Sequence, residues 1–334
     1  MFPLARYRLH WRTLTPTKLP DYAGSALRGA FGHALRRIAC MSRHEESCVC
    51  PPEAACAYSA IFAPQARRNG PYRLSQPPVP YLIEPPGWGA RQLAPEETWH
   101  FDIVLCGRAL AELPLITLAF RQALERGIGP GDGRSRLLAL TWQQADGSGQ
   151  LIYRPEDGQI SPHTPVLPRM PPYREIHELT LHFHTPLRLQ ENGRALPPNR
   201  LEVPVLLMAA LRRASLMCEF HGGGVPDWDF SELKRCAQGI HGEKSLEWKD
   251  WTRRSARQQQ NMQLGGVVGE WRLQGELDAF FPALHLCQWL HLGKETVFGL
   301  GAYTLEHNPA VVVETREQAA QVFENRQQNS YPQL

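Results

Sequence analysis

Along Leu4–Leu14 apolar residues alternate with basic and polar ones, the two-residue period of a strand with one covered face. Over Tyr22–Met41 the period changes. Leu27, Phe31, Ala34, Leu35 and Ile38 recur at three- and four-residue steps, which predicts a helix with a buried stripe. Trp99–Cys106 reads as a second strand, Leu110–Gly127 as a helix and Arg136–Trp142 as a further strand. Arg154–Tyr173 then carries Pro155, Pro162, Pro165, Pro168, Pro171 and Pro172, a composition that sustains neither a helix nor a central strand and marks a linker.

Beyond the linker the order recurs. Leu179, Leu181 and Phe183 alternate with Thr180, His182 and His184 in a strand over Glu178–Leu189. Val203–Phe220 reads as a helix, Ser245–Gln259 and Gly266–Gly275 as a hairpin, Phe280–Leu292 as a helix and Gly299–Glu306 as a strand. Each half therefore reads β–α–β–(β)–α–β, and the fold class is α+β, with two ferredoxin-like units of the RNA-recognition type in tandem. The expected domains are 1–153, with a Cys-rich insertion at 40–56, and 174–313, with a C-terminal glycine-rich loop. The Pro-rich linker at 154–173 joins them, and a polar tail follows at 314–334.

Composition adds limits. With 334 residues, 43 % hydrophobic and 21 % charged, the chain is of ordinary globular make-up and large enough for two cores. No apolar run approaches the ~20 residues of a membrane span, and the arginine-bearing N-terminus does not read as a signal peptide. The expected location is cytoplasmic, with no membrane partner. The net charge of +3 says little, but residues 1–43 hold eight basic residues against the single acid Asp21. A second run, Lys244–Arg257, holds five basic residues against Glu247 and Asp250. Two such patches on a balanced chain predict a polyanionic partner, the plain alternative being solvated faces.

The segment LHLGKETVFGLGAYTL at Leu290–Leu305 places Lys294 among Gly293, Gly299 and Gly301. Such a loop can cradle a phosphate. It follows a helix rather than a strand, unlike a P-loop, so a turn packing one element on another is the competing reading. On a strand, Arg253 and Arg257 face one side and Arg254 the other. Trp248 and Trp251 read as stacking residues for unpaired bases or, more simply, as buried aromatics. Four cysteines cluster as Cys40, Cys48, Cys50 and Cys56, a set open to structural zinc, an iron–sulfur cluster or plain reduced thiols. His182 and His184 share a strand face without an evident third metal ligand. There is no G-x-S-x-G, H-E-x-x-H or complete Walker sequence.

Several segments resemble the CRISPR-associated repeat-processing endoribonucleases of the repeat-associated mysterious protein (RAMP) superfamily. They are YAGSALRGAFGHALRRIAC at Tyr22–Cys40, WKDWTRRSARQQQ at Trp248–Gln260, LGGVVGEWRLQG at Leu264–Gly275 and GKETVFGLGAY at Gly293–Tyr303. The resemblance implies a metal-independent endoribonuclease that cuts the repeat of precursor CRISPR RNA and leaves a 2′,3′-cyclic phosphate. It also implies subunits of a CRISPR effector complex as partners and no cofactor for catalysis. Its site residues are a histidine on or just after the first helix, His33 or in second place His44, supported by Tyr22 and by Arg36 or Arg37. Histidine suits the proton transfers and arginine the crowded phosphorane. Arg28, Arg253, Arg254, Arg257 and the loop residues Gly293, Lys294, Gly299 and Gly301 are the expected RNA contacts. The alternative is a non-catalytic RNA-binding subunit of the same superfamily.

Overall fold

The structure, a computed structural model, describes residues 2–40, 56–64, 77–144, 147–165, 175–255 and 260–306, by backbone alone at 253–255 and 260–263. The first half comprises β1 (Leu4–Thr13), β2 (Thr17–Leu19), α1 (Gly24–Ala39), α2 (Ala57–Ile61), β3 (Tyr81–Glu84), β4 (Arg91–Leu93), β5 (Thr98–Cys106), α3 (Leu113–Arg126), β6 (Ser135–Gln143) and β7 (Gly149–Tyr153). The second comprises β8 (Glu178–Leu187), β9 (Gln190–Glu191), β10 (Arg194–Ala195), α4 (Val203–His221), α5 (Phe230–Ala237), β11 (His241–Lys249), β12 (Thr252–Ser255), β13 (Gln260–Gln263), β14 (Gly266–Gln274), α6 (Phe281–Leu290) and β15 (Tyr303–Glu306).

Both large sheets are antiparallel and repeat one topology. The first runs β3-β5-β1-β6-β7 and the second β11-β14-β8-β15. Numbering the four principal strands of each half in chain order gives 2-3-1-4 both times, the ferredoxin-like arrangement; β7 extends the first sheet. The odd residues of β1, among them Tyr7, Leu9 and Trp11, are buried toward α1 and α3, where Phe31 stacks on Phe120 at 4.5 Å. Each such buried side chain contributes about 1.5–3 kcal/mol.

The opposite face of the first sheet also finds cover at one end. Leu4, Leu82, Val104 and Cys106 join one core with Leu207, Ala214 and Met217 of α4 and Leu290 of α6. The two units therefore share a hydrophobic interior. Arg213 on α4 reaches across α6 to the Leu290 carbonyl at 2.9 Å. Burial beside it pushes the Cys106 and Cys287 thiols up to about 12, so both behave as apolar packing.

Three sequence expectations change. The strand placed at Ser245–Gln259 is two elements: β11 starts earlier, at His241, and ends at Lys249, and β12 pairs with β13 as a separate ribbon. The break falls where Trp251 turns inward, its carbonyl accepting the Leu264 N–H at 2.6 Å. The strand expected from Gly299 begins only at Tyr303, because Gly299 and Gly301 have φ of +90° and +73°. The linker is anchored at its start: Ser161 N–H donates to the Ile152 carbonyl, and His163 Nε2 lies 2.8 Å from the Tyr7 hydroxyl. The tail at 314–334 lies outside the described residues.

Candidate nucleic-acid interface

Helix α1 opens with Gly24-Ser25-Ala26 after the turn at Asp21. Its buried residues include Leu27, Phe31, Ala34 and Leu35, as the periodicity requires, and Ile38 packs at the edge of the core. His33 and Arg37, one turn apart, are both exposed and share the outer face. Burial and the like charge of Arg126 hold Arg37 below the ordinary arginine range. Arg36 turns the other way and is half-buried, its guanidinium 5.9 Å from the Tyr58 ring centre. Arg28 is also half-buried, between the rings of Phe62 at 4.4 Å and Phe298 at 5.6 Å.

Tyr22 sits elsewhere. It precedes the helix, is 3 % exposed, and packs against Trp88 and Trp251 with ring centres 4.6 and 5.1 Å away. Burial pushes its hydroxyl well above the ordinary tyrosine range. His33 lies nine residues beyond the first helical residue, about 14 Å along the axis. The structure thus brings His33 together with Arg37 and separates both from Tyr22. His44 lies outside the described residues.

The glycine-rich loop is closed upon the protein rather than open. A side chain at Gly299 would meet the Tyr22 hydroxyl at 2.6 Å and the Ile83 carbonyl at 2.7 Å, and one at Gly301 would meet the Leu292 carbonyl at 1.8 Å. Their left-handed backbone makes the substitution strained as well. Gly293 lies against the Arg188 backbone, which accepts the Lys294 N–H at 2.9 Å. Of the loop residues expected to bind RNA, the glycines pack and Lys294 remains exposed. The packing reading holds for the glycines, because their missing side chains let the loop reach α1 and β3.

At its near end the loop is tied by charge. His291 is 1 % exposed, and its Nε2 lies 3.0 Å from Glu84 Oε1 on β3. Arg6 grips the same carboxylate through Nε at 2.7 Å and Nη2 at 2.9 Å, with its guanidinium 4.7 Å from the Trp289 ring centre. Burial works to raise the Glu84 carboxyl, but Arg6 and His291 overcome it and hold it down at about 2. Sequence reading missed this pair, whose partners are 207 residues apart.

Three of the eight N-terminal basic residues, those on β1, are met by carboxylates. Arg6 pairs with Glu84, Arg8 with Asp102 through two bonds of 2.8 and 2.9 Å, and Arg12 with Glu96 at 3.5 Å. On the same face His10 and His100 have ring centres 6.1 Å apart; burial first, then neighbouring positive charge, lowers both below the usual histidine range. Of the second basic run, Arg253 and Arg254 are placed by backbone on β12, and Arg257 lies outside the described residues. Trp251 is buried, as the simpler reading had it, whereas Trp248 is 39 % exposed. Trp88, which the sequence reading passed over, joins Tyr22 and Trp251; its Pro-Pro-Gly-Trp-Gly setting was the available signal.

The outer face of the second sheet is acidic. His182 lies between Glu270 and Glu306, 3.1 Å from each, and His184 contacts Thr304 at 2.9 Å. Arg272 and Glu178 pair beside them. Among the described residues no three metal-ligating side chains converge. Cys40 is buried, Cys56 Sγ accepts the Ser59 N–H at the start of α2, and Cys48 and Cys50 lie outside the described residues. A cavity of about 530 Å³ beside Phe2, Arg108, Glu219 and Gly222 holds none of the expected site residues. Among the described residues no helix is long and apolar enough to cross a membrane.

Residues 181–303 match the family described as CRISPR-associated endoribonuclease Cas6, and residues 2–165 match the N-terminal domain family AF_1859_N. No curated protein matches the sequence. Among solved structures, a Cas6 product complex is similar over 92 % of this chain and 100 % of its own, at 16 % identity and a TM-score of 0.56. A Thermus thermophilus Cas6 is similar over 92 % of this chain and 99 % of its own, at 15 % identity and a TM-score of 0.51. A partial Cas6-RT-Cas1–Cas2 complex matches 100 % of this chain and 55 % of its own, at 14 % identity and a TM-score of 0.52. These likenesses are of fold.

Proposed function

Starting from a chain that belongs to the CRISPR Cas6 family, we propose that it binds the repeat of precursor CRISPR RNA and cuts it once, without metal, to give mature guide RNAs. The observation that carries this reading is the outer face of α1, where exposed His33 and Arg37 stand one turn apart on a helix braced by the glycine-rich loop.

The chemistry follows from those groups. A ribose 2′-hydroxyl attacks its own 3′-phosphate, the 5′-oxygen leaves, and the products end in a 2′,3′-cyclic phosphate and a 5′-hydroxyl. His33 exchanges protons with the attacking or departing oxygen, a role its type fills near neutral pH. Arg37 faces the phosphorane and offsets its negative charge. Tyr22, buried away from His33, acts by seating the loop against α1. Lys294, together with Arg253 and Arg254 of β12 and with Arg257, holds flanking phosphates. Zinc bound by Cys40, Cys48, Cys50 and Cys56 would fix the segment after α1 and take no part in the cut. The product stays available to CRISPR effector subunits in the cytoplasm.

The separation of Tyr22 from His33 favours one second reading, a non-catalytic subunit that holds guide RNA. Incubating the chain with a single-repeat transcript in EDTA decides between them. One cut with a cyclic phosphate end supports the enzyme, and tight binding without a cut supports the subunit.

A further inference from the structure

Among the described residues, Trp248 is the one aromatic side chain in the set of large apolar groups that stand exposed. An exposed indole forgoes burial, yet this one is held in place. Its Nε1–H donates to Asp250 Oδ1 at 2.7 Å. One ring face rests on Gly265, where a Cβ would come within 2.8 Å of the indole. Any other residue at 265 would push the ring off its shelf.

The shelf leads to the loop. The Gly265 carbonyl accepts Arg188 Nη1–H at 2.7 Å, and the Arg188 carbonyl in turn accepts the Lys294 N–H at 2.9 Å. Trp248, Gly265, Arg188 and Lys294 thus form one connected surface, with the Lys294 side chain in solvent. The next residue, Lys249, sets its ammonium 4.4 Å from the Trp88 ring centre. Strand alternation sends Lys249 to the opposite face from Trp248, so the charge beside the platform is that of Lys294. A fixed aromatic plane with an exposed cation on the same surface matches the two needs of single-stranded nucleic acid, a face for a base and charge for its phosphates. Because the ring is already fixed, little side-chain freedom is lost when a base lands on it.

We propose that Trp248 is a stacking platform for an unpaired nucleobase, with Lys294 meeting a neighbouring phosphate. The inference deepens the RNA reading above and rests on it.

The test titrates the intact chain, wild type, Trp248→Ala and Trp248→Phe, with CRISPR repeat RNA and with an unstructured oligouridine of equal length, across a salt series. Trp248→Ala is expected to weaken binding about tenfold, the loss of one stacked base. The salt slope is expected to stay unchanged, since stacking releases no counterions. Trp248→Phe, which keeps an aromatic face, is expected to stay within about threefold of wild type. Wild-type affinity in Trp248→Ala overturns the platform, as does equal loss in both variants or a flattened slope. Wild type that binds RNA but does not cut it overturns only the cleavage reading. Wild type that binds neither RNA overturns both.

Discussion

His291 Nε2 and Glu84 Oε1 meet at 3.0 Å, joining the start of the glycine-rich loop to β3 of the other unit. The loop is then fixed at a second point, where the Phe298 carbonyl lies against Gly24. Together these contacts decide how α1, with His33, faces a loop that carries Lys294.

The carboxylate gives this junction an acid limit. Glu84 is held at about 2 in the folded chain, below the ~4.3 of an unfolded glutamate. Its contribution is therefore full above about pH 4.3 and is lost as pH falls toward about 2, amounting to about 3 kcal/mol. Urea unfolding of wild type and Glu84→Gln is expected to differ more at pH 6 than at pH 3. A difference independent of pH would contradict the role of the ionised carboxylate.

Gly24→Ala tests the second point. Helix propensity alone predicts a gain of up to about 1 kcal/mol. A Cβ at 24 would meet the Phe298 carbonyl at 2.0 Å, so a loss of about 2 kcal/mol is expected instead. Thermal unfolding reads the sign, and a stabilised variant would contradict the contact.

His33→Ala is expected to lower the single-turnover cleavage rate by about 100-fold or more, with repeat RNA affinity within about twofold of wild type. Arg37→Ala is expected to lower the rate by a smaller factor, also without a large change in affinity. Unchanged cleavage in His33→Ala would move the chemistry to another residue.

Replacing Arg253 and Arg257 together is expected to weaken RNA binding and reduce the logarithmic salt slope by about 1.4, two single-strand phosphate contacts. An unaltered slope would remove these two arginines from the interface.

Much of this was legible in the chain. The α1 stripe from Leu27 to Leu35 and the alternation of Leu179, Leu181 and Phe183 marked elements whose long apolar faces needed cover, and the repeated element order carried the tandem fold. The site was less legible because it depends on pairings distant in sequence. Nothing local tells that Arg6, Arg8 and Arg12 would be met by Glu84, Asp102 and Glu96, which takes three of the eight basic residues out of the apparent polyanion patch and into ion pairs. Nor does composition separate Trp251, drawn inside beside Tyr22, from Trp248 three residues earlier, left open. The glycines of the loop signalled close approach without saying whether a phosphate or α1 would approach.

The most direct measurement is cleavage in EDTA of a repeat RNA carrying one 2′-deoxynucleotide at the cut site, beside the all-ribose strand. The account predicts a single cut with a cyclic phosphate end in the all-ribose RNA and none at the modified position. Cleavage of the deoxy-substituted strand at that position would contradict attack by the 2′-hydroxyl.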